Sequence, residues 1–527
     1  MERKKLPIGI QTFAEIRREG YYYVDKTPFV ASLAESGKYY FLSRPRRFGK
    51  SLFLDTLAEA FAGNRALFSG LYLENHWNWE KRHPVIRLSF AEGRLERREE
   101  LDRSIRRQLH EHAQRFGMTL CDPEDIPGSF GELITGAAER LGERTVVLID
   151  EYDKPILDNL TDPDTARAMR EGLRNLYSVL KGRDADLRFV FLTGVSKFSK
   201  VSLFSGLNNL YDLTLDASVA TICGYTEADL DTVFAPEFAA AAQDGQPLSR
   251  DAVRAWYNGY RWGSEESVYN PFDVLLLLRQ REFRAWWFET ATPTFLVEWL
   301  TRHQFFTPRL ERLYADDALL SAFDVEAIAP EALLWQTGYV TITRVHRSED
   351  GVEYELGLPN REVRMALNRA LVRGLVPELP HAPSFALTTM LKEGDAHGLG
   401  EHMRSLFAGI PADWYRKNPM ARYEGYFASV FYSHLAGLGV MTIPERICTP
   451  GRLDLVVIAG AVVWIFEFKV IDGDTPTGEA LRQIQEKGYA AAYRGKAGVE
   501  RVVEVGVEFS TAKRQIVGWE VAGGDGA

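Results

Sequence analysis

Apolar and polar positions alternate most sharply near the C-terminal end of the chain, in two runs separated by Ala459-Gly460. The first is Gly451-Arg452-Leu453-Asp454-Leu455-Val456-Val457; the second is Val462-Val463-Trp464-Ile465-Phe466-Glu467-Phe468-Lys469-Val470. A period of two is that of a strand, so the two runs predict a β-hairpin. A two-residue turn at Ala459-Gly460 pairs Ile458 with Ala461, sets Asp454 opposite Ile465 and leaves Glu467 one diagonal step away. Ile465, Glu467 and Lys469 then share Asp454's face, while Leu453, Leu455, Val457, Trp464, Phe466 and Phe468 share the other. One face reads as core; the other carries two carboxylates and an ammonium.

A helical period flanks this hairpin. Upstream, Arg422 to Phe431 places Tyr423, Phe427, Val430 and Phe431 on one stripe, with Glu424 at its edge. Downstream, Gly478 to Tyr489 predicts a second helix in which Gln483 and Lys487 stack four residues apart, and strands follow at Val502 to Ser510 and Gln515 to Val521. Two carboxylates at this reach can hold Mg²⁺, with Mn²⁺ as a substitute, and a lysine beside them can orient water or steady negative charge. A solvated hairpin face with a Glu/Lys pair is the bland alternative. The order helix, three strands, helix, strand, with Asp and then Glu-x-Lys on the middle strands, resembles the PD-(D/E)xK nuclease superfamily. The resemblance implies catalytic roles for Asp454, Glu467 and Lys469, metal assistance from Glu424 and support from Gln483, with Gln485 competing for that last place. Leu453 stands where the family's name has proline.

The N-terminal half shows a different pattern, of short runs that are apolar throughout. Lys38 to Ser43 reads as a strand, Thr145 to Ile149 as a strand buried on both faces of a parallel sheet, and the run from Arg188 to Thr193 and Gly194 as another buried strand. After the first comes Arg44-Pro45-Arg46-Arg47-Phe48-Gly49-Lys50-Ser51, running into an apolar helix from Leu52 to Phe61. Strand, loop, Gly-Lys-Ser, helix is the setting of a P-loop: backbone N–H groups cradle phosphates, Lys50 reaches the terminal ones and Ser51 holds Mg²⁺. Arg44 replaces the usual first glycine; Arg44, Arg46 and Arg47 can add charge-assisted contacts, and Phe48 and Gly49 complete the loop. The second run ends in Asp150, expected to hold the metal, and Glu151, expected to orient or deprotonate water. The third ends in Thr193, followed by Ser196 and Lys197, a candidate sensor of the terminal phosphate.

These blocks make a wider resemblance specific. Leu6-Pro7-Ile8-Gly9-Ile10, Tyr22 to Thr27, the loop at 44–51, Ile149 to Asp153, Phe198-Ser199-Lys200-Val201 and Ser205 to Asn209 are similar to the prokaryotic AAA-ATPase-like family. Trp256 to Tyr260 and Tyr269 to Phe272 resemble its helical lid, in which Arg261 could touch the nucleotide. The resemblance implies an ATPase joined to a C-terminal PD-(D/E)xK domain, ATP as cofactor, and defence or mobile elements as the setting.

The expected architecture is therefore α/β and multidomain. It comprises a P-loop, AAA-type core at 1–225, a helical lid at 226–300, helices with a hairpin at 301–375, a linker with helices at 376–418 and a nuclease-like α/β domain at 419–527. Thr226 is placed to cap the first lid helix. The hairpin, Tyr339 to Val345 and Val352 to Leu358 around Asp350-Gly351, suggests a winged-helix segment whose Arg344, His346 and Arg347 meet DNA or another part of the chain.

Composition narrows the partners. A formal net charge of −10 argues against coating nucleic acid by bulk attraction, so any contact with it, DNA ahead of RNA, is local. The Arg94 to Arg107 stretch is interleaved with Glu92, Glu96, Glu99, Glu100 and Asp102 and reads as a solvated helix face. Three scattered cysteines exclude a zinc ribbon or disulfide framework. The start lacks the apolar stretch of a secretory signal, and the longest aliphatic run, Val274 to Leu278, is too short to cross a bilayer. A cytoplasmic protein without membrane contact is expected, and an oligomer remains open. The alternative to a nuclease is an ATP-switched protein whose C-terminal domain binds nucleic acid or a partner without cutting.

Overall fold

The structure is a computed structural model that describes the chain except residues 1–2, 161, 198–208, 291–293, 304, 322–328, 350, 377–383, 410–423, 449–450 and 524–527. Of residues 289–290, 294–295, 302, 321, 424, 445–448 and 451–453 the backbone alone is described. Two compact units divide the chain, one made of 1–291 with 314–360 and the other of 292–313 with 361–527.

The first unit is built on a parallel sheet of β1 (Tyr39–Ser43), β2 (Val85–Ser89), β3 (Thr145–Asp150), β4 (Leu187–Gly194) and β5 (Tyr211–Asp212), in the order β2-β3-β4-β1-β5. Every residue of β1 and β3 is buried, as expected of interior strands covered on both faces. The edge strand β2 alternates instead. The carboxyl ends of β1, β3 and β4 come together, the place where open α/β sheets bind ligands.

Thr226 caps the helix Glu227–Thr232 in a reciprocal box with Asp229. A small sheet of β6 (Leu313–Asp316), β7 (Thr341–Ser348) and β8 (Gly351–Gly357) has the order β6-β8-β7. The stretch 301–375 is split between the units, and its packing explains the split. Gly259 lies so close to the Pro359 carbonyl that a Cβ would come within 2.0 Å, and Gly338 leaves as little room beside Pro45, whereas the helix Arg361–Leu375 packs against Glu424–Ala436.

The second unit holds a mixed sheet of β9 (Met441–Cys448), β10 (Gly451–Ala459), β11 (Val462–Ile471), β12 (Arg501–Ser510) and β13 (Gln515–Ala522), in the order β13-β12-β11-β10-β9. Only β11 and β12 are parallel, and the helix Glu479–Lys487 lies in the crossover between them. Both faces are covered. Leu455, Val457, Trp464, Phe466 and Phe468 join the larger core, while Val456, Val463 and Ile465, on the Asp454 side, pack with Ile484, Tyr489 and Tyr493. The face expected to be polar is therefore apolar near the turn and polar only toward the other end.

Among the described residues no helix is long and apolar enough to cross a membrane.

Candidate functional site

The hairpin register differs from the expected one. Ala459 pairs with Val462 and Val456 with Ile465, so the turn is Gly460-Ala461, with Gly460 at φ +62° in the first central position that glycine favours. The paired ladder ends at Leu455 and Phe466, with Asp454 and Glu467 the next residue on each strand.

Asp454 Oδ2 accepts the Phe468 N–H at 2.8 Å, which ties its side chain to the neighbouring strand. Glu467 is 2% exposed; its Oε1 accepts from Gln483 Nε2 and lies 3.7 Å from Lys469 Nζ, whose side chain remains partly open to solvent. The structure brings Gln483 to the carboxylate and leaves Gln485 exposed on the other side of the helix. Among the described residues no group of three or more His, Cys, Asp and Glu side chains converges as a metal cluster. The donor set nevertheless fits a hard cation of the Mg²⁺ type, which is commonly held by one or two carboxylates and keeps several waters. Glu424 opens its helix, but its side chain lies outside the described residues.

Two residues not singled out from the sequence shape this centre. Gly506 sits beside Glu467 on β12, and a Cβ there would come within 2.3 Å of the Leu481 nitrogen. Its missing side chain lets the Gln483 helix approach the sheet. Glu508, beside Lys469 on the same strand, accepts from Thr477 N at 2.5 Å, Thr477 Oγ1 at 2.8 Å and Glu479 N at 2.9 Å, pinning the start of that helix. Burial pushes its pKa up, but these hydrogen bonds outweigh burial and leave it below the usual glutamate value.

In the first unit the loop after β1 turns through left-handed residues at Arg47, φ +69°, and Gly49, φ +96°, and enters the helix Lys50–Phe61. A cleft of about 490 Å³ opens there, lined by Arg46, Arg47, Lys50, Ser51 and Glu151 among others. Lys50 is buried and donates to the Arg44 and Pro45 carbonyls at 2.8 and 3.0 Å. Burial lowers its pKa, and the nearby Glu151 and Asp150 partly restore it. Glu151 stands at φ +48°, a conformation that is strained for a non-glycine residue and typical of functional turns. Burial raises its pKa, and the nearby Lys50 ammonium partly opposes the shift. Asp150 is 3% exposed at the end of β3, and its Oδ1 accepts the Glu151 N–H at 3.1 Å.

Three residues expected to touch the nucleotide lie elsewhere. Arg44 is fully buried: its guanidinium donates to the Ser43 and Thr214 carbonyls at 2.8 and 3.0 Å and stacks 4.4 Å from the centre of the Trp262 ring, and desolvation pushes its pKa down to about 10. Phe48 packs edge-on against Tyr260 and Trp262 at 4.8 and 5.2 Å. Thr193 is fully buried and spends its hydroxyl on the Leu42 carbonyl at 2.9 Å. Arg261 likewise turns to the small sheet, bonding Thr341 and Thr343. Ser196, read as part of a phosphate sensor, is buried and donates from its amide and hydroxyl to Asp153 Oδ2, at 2.5 and 2.6 Å. The motif residues 198–201 and 205–208 lie outside the described residues.

The hairpin residues offered to DNA are partly neutralised. Arg344 pairs with Glu355 and His346 with Glu353, and a directly facing opposite charge offsets a basic strand face.

Comparison with known proteins finds family matches to two stretches of the chain. Residues 7–204 match the family model described as "Predicted AAA-ATPase", and residues 422–519 match that of the PD-(D/E)XK nuclease superfamily. A relative from Azotobacter chroococcum mcd 1, named "Uncharacterized protein in vnfD 5'region", is 54% identical over 524 residues, covering 99% of each chain. A solved chain of the Aeropyrum pernix ORC1 protein in complex with DNA is 15% identical and covers 66% of this chain and 91% of its own, at a TM-score of 0.26 that carries no argument. The chain belongs to the AAA-ATPase-like family of proteins, with a C-terminal domain of the PD-(D/E)XK nuclease superfamily.

Proposed function

We propose that the chain binds and hydrolyses ATP and couples its nucleotide state to Mg²⁺-dependent cleavage of nucleic-acid phosphodiesters, DNA ahead of RNA. The observation that carries this reading is the Asp454 carboxylate bonded to the Phe468 amide of the strand that also bears Glu467, with the Lys469 ammonium 3.7 Å from the Glu467 carboxylate. Asp454 and Glu467 would hold the divalent cation, which would supply polarisation of the scissile phosphate and activation of a water. Gln483 holds the Glu467 carboxylate in one orientation, the Phe468 amide does the same for Asp454, and Lys469 steadies the negative charge that builds on the phosphate.

In the nucleotide cleft, Lys50 exchanges its two loop carbonyls for phosphate oxygens, Arg46 and Arg47 add charge, and Ser51 and Asp150 hold the nucleotide's Mg²⁺. Glu151 orients the attacking water and takes its proton.

The test is a panel of single- and double-stranded DNA and RNA incubated with purified wild type, Lys50→Ala and Asp454→Ala, with and without ATP. Wild type is expected to hydrolyse ATP and cut at least one substrate, Lys50→Ala to lose ATP hydrolysis, and Asp454→Ala to lose cleavage alone. ATP hydrolysis with no cutting of any substrate in Mg²⁺ or Mn²⁺ overturns the nuclease half and leaves a nucleotide-switched binding protein.

A further inference from the structure

A second cleft, of about 420 Å³, lies in the first unit and is lined by Arg3, Lys4, Lys5, Tyr21, Glu237 and Arg279 together with apolar residues. Its wall is built rather than a chance gathering of surface lysines. Arg3 forks onto the Glu237 carboxylate at 2.9 and 2.8 Å, and Glu237, 1% exposed, also accepts from the Tyr22 hydroxyl at 3.2 Å and lies 3.6 Å from Arg281. The Tyr22 amide donates to the Lys5 carbonyl at 2.9 Å, fixing the backbone that carries the lysines. Nearby carboxylates offset only part of the charge: Glu237 faces two guanidiniums, Glu19 reaches Lys5 at 3.4 Å in an exposed pair of little strength, and Asp244 acts on Arg3 from a distance. Against a chain charge of −10, a cationic groove with a tyrosine ring in its wall is an anomaly that calls for an anionic ligand.

We propose that this groove binds the phosphodiester backbone of a single nucleic-acid strand and that its occupancy is felt in the nucleotide cleft; the proposal rests on the reading that nucleic acid is the substrate. Cations beside an aromatic ring are the combination that holds single strands. The volume is that of one small-ligand site, so the groove grips a strand at one point rather than tracking a duplex. A lipid surface fits less well, because the large exposed apolar side chains among the described residues, such as Tyr72, Leu141 and Phe385, lie outside this rim. Transmission has a route. Leu6 and Ile8 line the groove, Pro7 and Gly9 line the nucleotide cleft, and Ile10 lines both, so one segment, turning at Gly9, is the shared wall.

The experiment compares Asp454→Ala with Lys4→Glu/Arg279→Glu in the same background, so that binding is read without cleavage. Both replaced side chains are exposed, which keeps the fold out of the result. Fluorescein-labelled single-stranded DNA and RNA are titrated by anisotropy over a salt series, and ATP hydrolysis is followed with and without oligonucleotide. The double variant is expected to bind at least about tenfold more weakly, with a salt slope shallower by about 1.4 for two lost contacts. It is also expected to lose oligonucleotide stimulation while keeping its basal ATP hydrolysis. Unchanged affinity and slope overturn the groove as a strand site, as does retention on phosphatidylserine vesicles that the variant alone loses. Weakened binding with intact stimulation overturns the shared-wall route. Failure of wild type to cut leaves all these readouts in force, so the nuclease reading and the groove fall separately.

Discussion

Glu467, at 2% exposure, accepts from Gln483 and faces the Lys469 ammonium, and each of these donors has a separable task. Lys469 is the partly solvated one, so Lys469→Ala is expected to lower the cleavage rate by ~10²–10⁴-fold with little change in melting temperature. Gln483→Ala removes the orienting contact and is expected to weaken Mg²⁺ dependence or activity by ~10–100-fold, seen as a shifted metal titration. Glu508 acts one step further away. Its folded pKa lies below the ordinary value, so the stability it contributes is present above the unfolded glutamate pKa and is lost as pH falls through the folded one. Urea midpoints of wild type and Glu508→Gln are therefore expected to differ at pH 7 and to converge as the pH falls below the ordinary glutamate value. A gap that persists unchanged at acidic pH contradicts the assignment.

At the scale of elements, the active arrangement depends on how closely a helix approaches a strand. Gly506→Ala places a methyl against the Leu481 backbone and is expected to cost about 1–3 kcal/mol by overpacking, read by denaturant unfolding, and to reduce cleavage as Gln483 is displaced. The P-loop is braced from behind by Arg44. Arg44→Ala leaves the Ser43 and Thr214 carbonyls without their buried donor and is expected to destabilise by ~2–4 kcal/mol before any effect on nucleotide binding. That role could not be read from the sequence, where three arginines near a Gly-Lys-Ser look alike and only tertiary burial separates Arg44 from Arg46 and Arg47. Thr193 escaped for the same reason: a polar residue ending a buried strand can face a ligand or a neighbouring carbonyl, and pattern does not say which. The strands themselves were legible because burial on two faces, or on one, writes its own period. The hairpin register was not, since it hinged on whether Gly460 took the first or the second turn position. Gly506 and Glu508 carry no local signal of approach or capping; their roles exist only once β12 lies beside β11.

Across the whole molecule, the chain enters the second unit after residue 291, returns at 314 and leaves again after 360, so neither unit is a single stretch of sequence. Serial reading found an α/β core followed by a nuclease-like domain, because their motifs are local; the return of 314–360 depends on long-range packing at Gly259 and Gly338. The account joins ATP chemistry in one unit to phosphodiester chemistry in the other. The most direct test is the single-turnover cleavage rate in Mg²⁺, with and without ATP, for wild type, Lys469→Ala and Lys50→Ala. Wild type is predicted to cut at a rate that depends on ATP, Lys469→Ala to cut ~10²–10⁴-fold more slowly under either condition, and Lys50→Ala to cut at a rate indifferent to ATP. Equal rates for wild type and Lys469→Ala, or no cutting by wild type at all, would contradict it.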